Sequence, residues 1–298
     1  MSGGLAVLVN PTAGRGRSGG LLPDVLVRLG QAGHAVRRIQ AAGAAEAEAA
    51  CRSVVADGAA GLVVVGGDGT VHLGLQAVAD TGVPFGVVPV GTGNDFVTEL
   101  GLPRDPLAAA DAVADALAQG RTRPVDLALV TGADGQRRWY GAVLGAGFDA
   151  IVNERANRMR FPKGPRRYDI AIVAELLRLR PRAYTLRLDG QEHRIDAVLD
   201  AVGNTASYGG GMRICPDADP TDGLLDVVVA APMNRRTLMR IKPSVFLGTH
   251  VAHPLVSAYR ARTVELAGEQ ITVYADGERV CPLPVTITCV PGALTLLG

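Results

Sequence analysis

Short, unbroken apolar runs recur through the first 120 residues, each followed by a turn and then by apolar positions at helical spacing. Leu5–Val9, residues 35–39, Leu62–Val65 and Phe85–Val90 read as strands, because a β-branched run without polar alternation is the pattern of a strand buried on both faces. Leu21, Leu22, Val25, Leu26 and Leu29 fall on one helical face that Gly33 ends, and Ala44–Ala56 is helical by propensity. Val71, Leu73, Leu75 and Val78 suit a further helix. Asp105 and Pro106 make an N-cap and first-turn pair, Leu107, Ala110, Val113 and Leu117 share a face, and Gly120 closes it. Strands alternating with helices predict βαβ units on a parallel sheet.

The texture changes after Pro124. Val125–Val130, Trp139–Leu144, Tyr184–Leu188, Ala197–Val202, Leu224–Ala230, Thr263–Leu266, Ile271–Ala275 and Val285–Val290 all read as strands. Asp134-Gly135, Asp189-Gly190 and Asp276-Gly277 are hairpin-type turns between several of them. Helical patterns interrupt only around Tyr168–Leu179 and Asn234–Phe246. The expectation is an α/β chain with a parallel-sheet N-terminal domain, residues 1–124, and an antiparallel β domain, residues 125–298.

Composition narrows the class. A length of 298 residues suits two domains, and 48% hydrophobic with only 4% aromatic residues favours layers packed by Ala, Val and Leu. Net charge is +1, so no nucleic-acid partner is expected. Cys51, Cys215, Cys281 and Cys289 make no CxxC pair and read as buried apolar residues in a reducing compartment. No signal peptide is expected, and no run of about 18 apolar residues occurs in the sequence. The expected location is cytoplasmic, with peripheral visits to a membrane. No histidines pair at metal spacing, and His250 and His253 read as structural.

The chemistry lies where strands run into glycines. Gly66-Gly67-Asp68-Gly69-Thr70 follows Leu62–Val65, so backbone can approach a ligand closely while helix N-terminal amides face it. Asp68 adds a carboxylate able to hold Mg²⁺ beside phosphates. Asn10-Pro11-Thr12-Ala13-Gly14 offers amides and a hydroxyl at another strand end, with Arg15 and Arg17 close behind. The third loop, Gly91-Thr92-Gly93-Asn94-Asp95, supplies Thr92 and Asn94 for phosphate or ribose, while Asp95 caps the next helix. Three such loops at the C-terminal ends of one parallel sheet converge on one crevice. Residues 14–19 also fit GxGxxG, but Arg37 and Arg38 stand near where a dinucleotide fold wants an acid, which leaves only an NADP reading. A P-loop is excluded because no Lys-Ser or Lys-Thr follows.

Together the three loops resemble the diacylglycerol kinase catalytic-domain family, of the soluble bacterial type. Residues 145–149 (Gly-Ala-Gly-Phe-Asp), 204–211 (Asn-Thr-Ala-Ser-Tyr-Gly-Gly-Gly), 216–223 (Pro-Asp-Ala-Asp-Pro-Thr-Asp-Gly) and 276–278 (Asp-Gly-Glu) extend the resemblance over nearly the whole chain. It implies a nucleotide domain facing a C-terminal β-sandwich domain, with the final strands tying the two together. It implies ATP and Mg²⁺ at Gly66, Gly67, Asp68, Gly69, Thr70, Val71 and His72. Asn10, Pro11, Thr12, Ala13 and Gly14 would line the nucleotide, and Thr92 and Asn94 would contact it. Asp126 would link the active site to the metal network. Glu278, with Asp276 beside it, would take the proton of a lipid hydroxyl. Asp222 would ligate a structural Mg²⁺ with main-chain carbonyls near Asp219 and Leu224. The family often shows Asn-Glu where this chain has His72-Leu73, and threonines where it has Gln40-Ala41-Ala42.

Read without the family, Asp276-Gly277-Glu278 is a solvated hairpin turn, and residues 216–223 are a polar turn or an oxygen-rich Mg²⁺ or Ca²⁺ loop. Arg155, Arg158, Arg160, Lys163, Arg166 and Arg167, with Phe161 and Pro162 among them, make a solvated face or a contact for anionic headgroups. The expected activity is ATP-dependent phosphorylation of a hydroxyl on diacylglycerol or a related lipid. An NAD kinase-like enzyme, a nucleotide-binding regulator without turnover, and a homodimer stay open.

Overall fold

The structure is a computed structural model that describes residues 3–10, 17–91, 93–159, 161, 166–268 and 271–298. The chain divides into two compact units, Met1–Leu127 with Val290–Gly298, and Ala128–Cys289.

In the first unit the order is β1 (Leu5–Val9), α1 (Arg17–Gly30), β2 (Val36–Ile39), α2 (Ala44–Ala56), β3 (Gly61–Gly66), α3 (Asp68–Val78), β4 (Phe85–Pro89), α4 (Asp95–Glu99) and α5 (Pro106–Ala118), then the start of β5 (Thr122–Gly132). The strands pair in parallel in the order β2-β1-β3-β4. All residues of β1, β3 and β4 are buried, because helices cover both faces of the sheet. On one face Leu5, Val7, Val9, Val63, Val65 and Val88 pack with Val25 and Leu29 of α1 and Ala110 and Val113 of α5. The other face meets α3, where the Cα of Gly74 rides directly over Phe85 and Val64. Asp105 caps α5, its Oδ1 accepting from the Leu107 and Ala108 amides at 3.1 and 2.9 Å. This alternation of buried strand and covering helix places every β-to-α turn of the sheet at its C-terminal edge.

The second unit continues with β6 (Arg137–Tyr140), β7 (Val143–Gly147), α6 (Phe148–Arg158), α7 (Arg166–Leu176), β8 (Arg182–Leu188), β9 (Gln191–Ala197), β10 (Leu199–Gly203), β11 (Leu225–Ala230), α8 (Arg235–Leu247), β12 (Val256–Ala261), β13 (Thr263–Gly268), β14 (Thr272–Ala275), β15 (Glu278–Pro282) and β16 (Val285–Leu297). One antiparallel sheet runs β12-β11-β10-β7-β14-β15. A second antiparallel set pairs β9, β8, β13 and the first part of β16, and β5 and β6 form a hairpin. Tyr140, Leu144, Leu186, Val227, Val273 and Ile287 lie in the core of this unit. The end of β16 belongs to the first unit, where Leu296 pairs in parallel with Phe85.

Asp189-Gly190 and Asp276-Gly277 are two-residue hairpin turns with positive φ at both positions, 46° and 89°, and 52° and 80°. That is the backbone an Asp-Gly pair favours. The single strand expected over Trp139–Leu144 is instead two strands, β6 and β7, broken at Gly141–Ala142. β9, β12, β15 and α6 carry no sequence signal of their own. β9, β12 and β15 are sheet-edge strands with exposed polar side chains, and α6 buries only small or branched residues such as Ala150, Val152 and Ala156. Among the described residues no helix is long and apolar enough to cross a membrane.

All four cysteines are buried, and burial pushes the Cys51 thiol up to about 12. His250 is 3% exposed, its Nε2 lies 3.0 Å from the Ile214 carbonyl, and burial lowers its pKa below the ordinary value. Its expected effect follows from linkage. A histidine whose folded pKa is depressed leaves stability intact above its unfolded pKa of about 6.5 and removes it as pH falls towards the folded value. Denaturant midpoints from pH 8 to pH 5 are expected to fall more steeply for the native chain than for His250→Gln.

Candidate functional site

β1, β3 and β4 lie side by side and release their turns at the same edge. The Asn10 amide donates to Val65 O (3.1 Å), and the Val90 amide donates to Gly66 O (2.9 Å), so the ladder joins the three loops at their roots. Asn10 Nδ2 then reaches Thr70 Oγ1 at 3.3 Å. From the middle loop, Asp68 extends to the third: its Oδ2 accepts from the Asn94 amide at 2.8 Å and its Oδ1 from the Phe96 amide at 3.4 Å. Asn10, Gly66–Thr70, Gly91, Gly93 and Asn94 therefore form one cluster. Pro11, Thr12, Ala13, Gly14 and Thr92 lie outside the described residues.

The glycines are dictated by distance. A Cβ on Gly91 would sit 2.7 Å from Gly67 Cα, and one on Gly66 would sit 2.1 Å from Thr70 Oγ1. A larger residue at position 91 would push the second and third loops apart, and one at position 66 would displace Thr70 within the second loop. Asn94 adopts the left-handed region (φ 57°, ψ 43°), a conformation that costs a non-glycine residue of order 1 kcal/mol and persists where surroundings over-determine it. Here its amide is held by Asp68 and its Nδ2 donates to Gly91 O at 3.0 Å.

This arrangement leaves groups turned toward a ligand. Gly67 caps α3 without a side chain; the Thr70 amide donates to Gly67 O at 2.8 Å, and the amides of Asp68 and Gly69 before it receive no capping side chain from Gly67. Uncapped helix N-terminal amides at the end of a parallel strand suit phosphate oxygens. Asn94 Oδ1 is buried with no hydrogen-bond partner among the described residues. As an acceptor it calls for a donor such as a ribose hydroxyl or a bound water, not a phosphate oxygen. His72 is buried at 6% exposure, one turn into α3, and its carbonyl accepts from Gln76 Nε2. Val71 packs inward at 3% exposure.

Asp126 is 4% exposed and its Oδ1 accepts from the Gly292 amide at 2.8 Å, fastening the returning end of β16 within the first unit. In the second unit Asp276 Oδ1 and Oδ2 accept from the Ala142 and Gly141 amides at 2.9 and 3.1 Å. Asn204 holds the same short segment from its other side, Nδ2 donating to Gly141 O and its amide to Ala142 O. Glu278 differs: it is exposed at the start of β15, with no hydrogen bond or ion pair of its side chain among the described residues. The next residue of β15, Arg279, belongs to a cluster that the sequence pattern does not announce. Tyr274 donates to Glu154, which also meets Arg158 at 2.6 Å and Arg279 at 3.5 Å. That hydrogen bond holds Glu154 below the usual carboxylate range, and burial pushes Tyr274 up to about 12.

The acidic loop is occupied by its own contacts. Asp219 Oδ1 accepts from the Thr221 amide and hydroxyl at 3.0 and 2.6 Å, Asp222 Oδ1 accepts from the Leu224 amide at 2.9 Å, and Asp222 pairs with Arg260. Burial raises the pKa of neighbouring Asp226, which also faces Arg260. Among the described residues no group of three or more His, Cys, Asp or Glu has metal-binding geometry. A cation at Asp219, Asp222 and Leu224 would have to displace the Arg260 guanidinium. One carboxylate beside open phosphate-facing amides, as at Asp68, does suit Mg²⁺, which takes most of its ligands from phosphates and water.

A parallel α/β unit with clustered, phosphate-suited strand-end loops, followed by an antiparallel β unit, is a mixed α/β architecture of two units. The chain belongs to the bacterial diacylglycerol kinase family: residues 4–130 match the diacylglycerol kinase catalytic domain, and residues 142–298 match the YegS C-terminal NAD kinase beta sandwich-like domain. It is 45% identical over 297 residues to the diacylglycerol kinase of Mycobacterium tuberculosis, covering 99% of this chain and 95% of that protein. A crystal structure from Bacillus anthracis shares the fold with a TM-score of 0.80 at 22% identity, covering 99% of this chain and 94% of that one. Another, of a diacylglycerol kinase from the same organism, gives 0.72 at 21% identity, with 99% and 96% covered.

Proposed function

We propose that the protein transfers the γ-phosphoryl group of ATP to the hydroxyl of diacylglycerol or a related lipid, giving a phosphatidate-like product and ADP. The observation that carries this reading is the single cluster of three strand-end loops, locked by Asp68 across two of them. Phosphoryl transfer asks the protein mainly to position phosphates and offset developing charge. In this proposal the amides of Gly66–Gly69 and the Asn10 loop cradle the phosphates with the Thr70 hydroxyl beside them, and the Asn94 side-chain Oδ1 receives a ribose hydroxyl. Asp68 holds the third loop in place and presents its carboxylate to Mg²⁺, which supplies charge neutralisation when bound. Glu278 accepts the hydroxyl proton; the freed oxygen attacks the γ-phosphorus, and the bond from that phosphorus to the β,γ-bridging oxygen breaks, releasing ADP.

The test is radiolabelled ATP with Mg²⁺ and detergent-dispersed diacylglycerol, monoacylglycerol, sphingosine or soluble NAD. Label is expected in an organic-extractable phospholipid, most of all with diacylglycerol. Label in NAD would move the acceptor to a dinucleotide. ATP binding with no transfer to any acceptor would leave a nucleotide-binding regulator. As a lipid kinase the protein would work at a membrane face from the cytoplasmic side, as a peripheral protein.

A further inference from the structure

We infer that α8 is an interfacial helix that docks the second unit on an anionic lipid surface; the inference rests on the lipid-kinase reading and adds the site of contact. Residues 235–247 read Arg-Arg-Thr-Leu-Met-Arg-Ile-Lys-Pro-Ser-Val-Phe-Leu, with four cations and no acid. A local charge of +4 stands out in a chain whose net charge is +1. Arg235, Arg236, Arg240 and Lys242 are all exposed, and among the described residues none makes an ion pair. A helix carrying four unneutralised cations repels itself, so its position asks for an external anion.

The apolar residues are placed as strangely as the charges. Only Ile241 of this helix is buried, while Met239, Phe246 and Leu247 are 48%, 46% and 74% exposed. At about 100° per residue, Met239, Pro243 and Phe246 fall on one line along the outer face, with Leu247 beside it. Arg235 and Lys242 follow one margin of that line, and Arg236 and Arg240 the other. Ile241, Leu238 and Val245 take the opposite side, and Val245 packs against the Val143, Ala201 and Ile214 cluster. An outward apolar stripe between cationic margins fits the boundary between acyl chains and anionic headgroups.

Charge decides against other occupants. A second copy docking this face on itself would bring eight like charges together, twice the four in α8. A nucleic-acid backbone would meet the cations but leave Phe246 and Leu247 against water and phosphate. Arg155 and Arg158 are poorer anchors, because Arg155 is paired with Glu175 and Arg158 with Glu154.

The experiment is co-sedimentation of the full chain with vesicles of phosphatidylcholine alone or with one third phosphatidylglycerol, without ATP or diacylglycerol. Binding is expected only with the anionic lipid and weakened by salt. Arg236→Gln with Arg240→Gln should reduce vesicle affinity about 30-fold, taking each near-surface charge at its usual value. Phe246→Ser with Leu247→Ser should also weaken binding, most of all at raised salt, since the headgroup attraction that alone remains is then screened. Both double variants should phosphorylate detergent-dispersed lipid like the parent, which separates this inference from the activity. Parent-like vesicle binding by both variants, or no binding by the parent, overturns it. So does a change of oligomeric state in the variants, by sedimentation velocity, without a change in vesicle affinity. Vesicle binding through α8 in a chain that phosphorylates no lipid would remove the kinase reading and leave the docking face standing.

Discussion

Asp68→Asn is expected to lower phosphoryl transfer by about 10³-fold, the scale of losing a preorganised group that acts on developing charge. The substitution preserves volume and removes one acceptor. Asp68 now takes two backbone N–H groups, from Asn94 and Phe96, with its two oxygens. An asparagine keeps one oxygen and turns an NH₂ toward the other amide, so a donor faces a donor. The bonds are part-buried, so the cost falls at the low end of the roughly 1–3 kcal/mol of an unsatisfied buried donor, felt as a lower denaturant midpoint and a loosened third loop. Two readouts separate the roles. If the carboxylate acts only by holding Asn94 in its left-handed conformation, ATP affinity falls in step with transfer. If it also serves the metal–phosphate centre, kcat falls well beyond the loss in nucleotide binding, and the Mg²⁺ dependence of the residual rate shifts upward. Full transfer by the variant removes Asp68 from the reaction.

The first unit was legible in the sequence because its strands are buried on both faces. Such strands have no polar alternation to disguise them, so Leu5–Val9, Leu62–Val65 and Phe85–Val90 declare themselves, and each loop after them declares its glycines. Clustering of Asn10, Asp68 and Asn94 then follows from strand adjacency alone. The second unit was less legible for the opposite reason. Edge strands such as β9, Gln191–Ala197, keep polar side chains in water and are fixed by their neighbours across the sheet, here by Arg182–Leu188. The break between β6 and β7 is likewise set from afar: Asp276, more than 130 positions on, takes the Gly141 and Ala142 amides. No local pattern encodes that partnership. It also gives Asp276 a structural employment that an Asp-Gly-Glu turn does not advertise, and it separates this residue from Glu278 two positions later.

That separation sets the second large effect. Glu278→Gln is expected to lower kcat by 10²- to 10⁴-fold, the usual range for removal of a general base, while the Michaelis constant for ATP stays close to that of the parent. Stability should move by less than about 0.5 kcal/mol, since an exposed side chain without hydrogen bond or ion pair among the described residues leaves nothing unsatisfied. Asp276→Asn is the contrasting variant. Its carboxylate accepts two backbone amides, so an amide there strands one of them and the unfolding midpoint should drop. Thermal melts and initial rates on detergent-dispersed diacylglycerol distinguish the two. Should Glu278→Gln keep the parental rate, the proton of the acceptor hydroxyl goes elsewhere, and the Glu154–Tyr274–Arg279 cluster becomes the next place to look. Should it instead melt early while Asp276→Asn does not, the hairpin bears on folding through the wrong carboxylate for this account. Loss of rate at Glu278 with an unchanged melt, beside loss of stability at Asp276, is the pair of results expected if Glu278 is the proposed base and Asp276 holds the Gly141 and Ala142 amides.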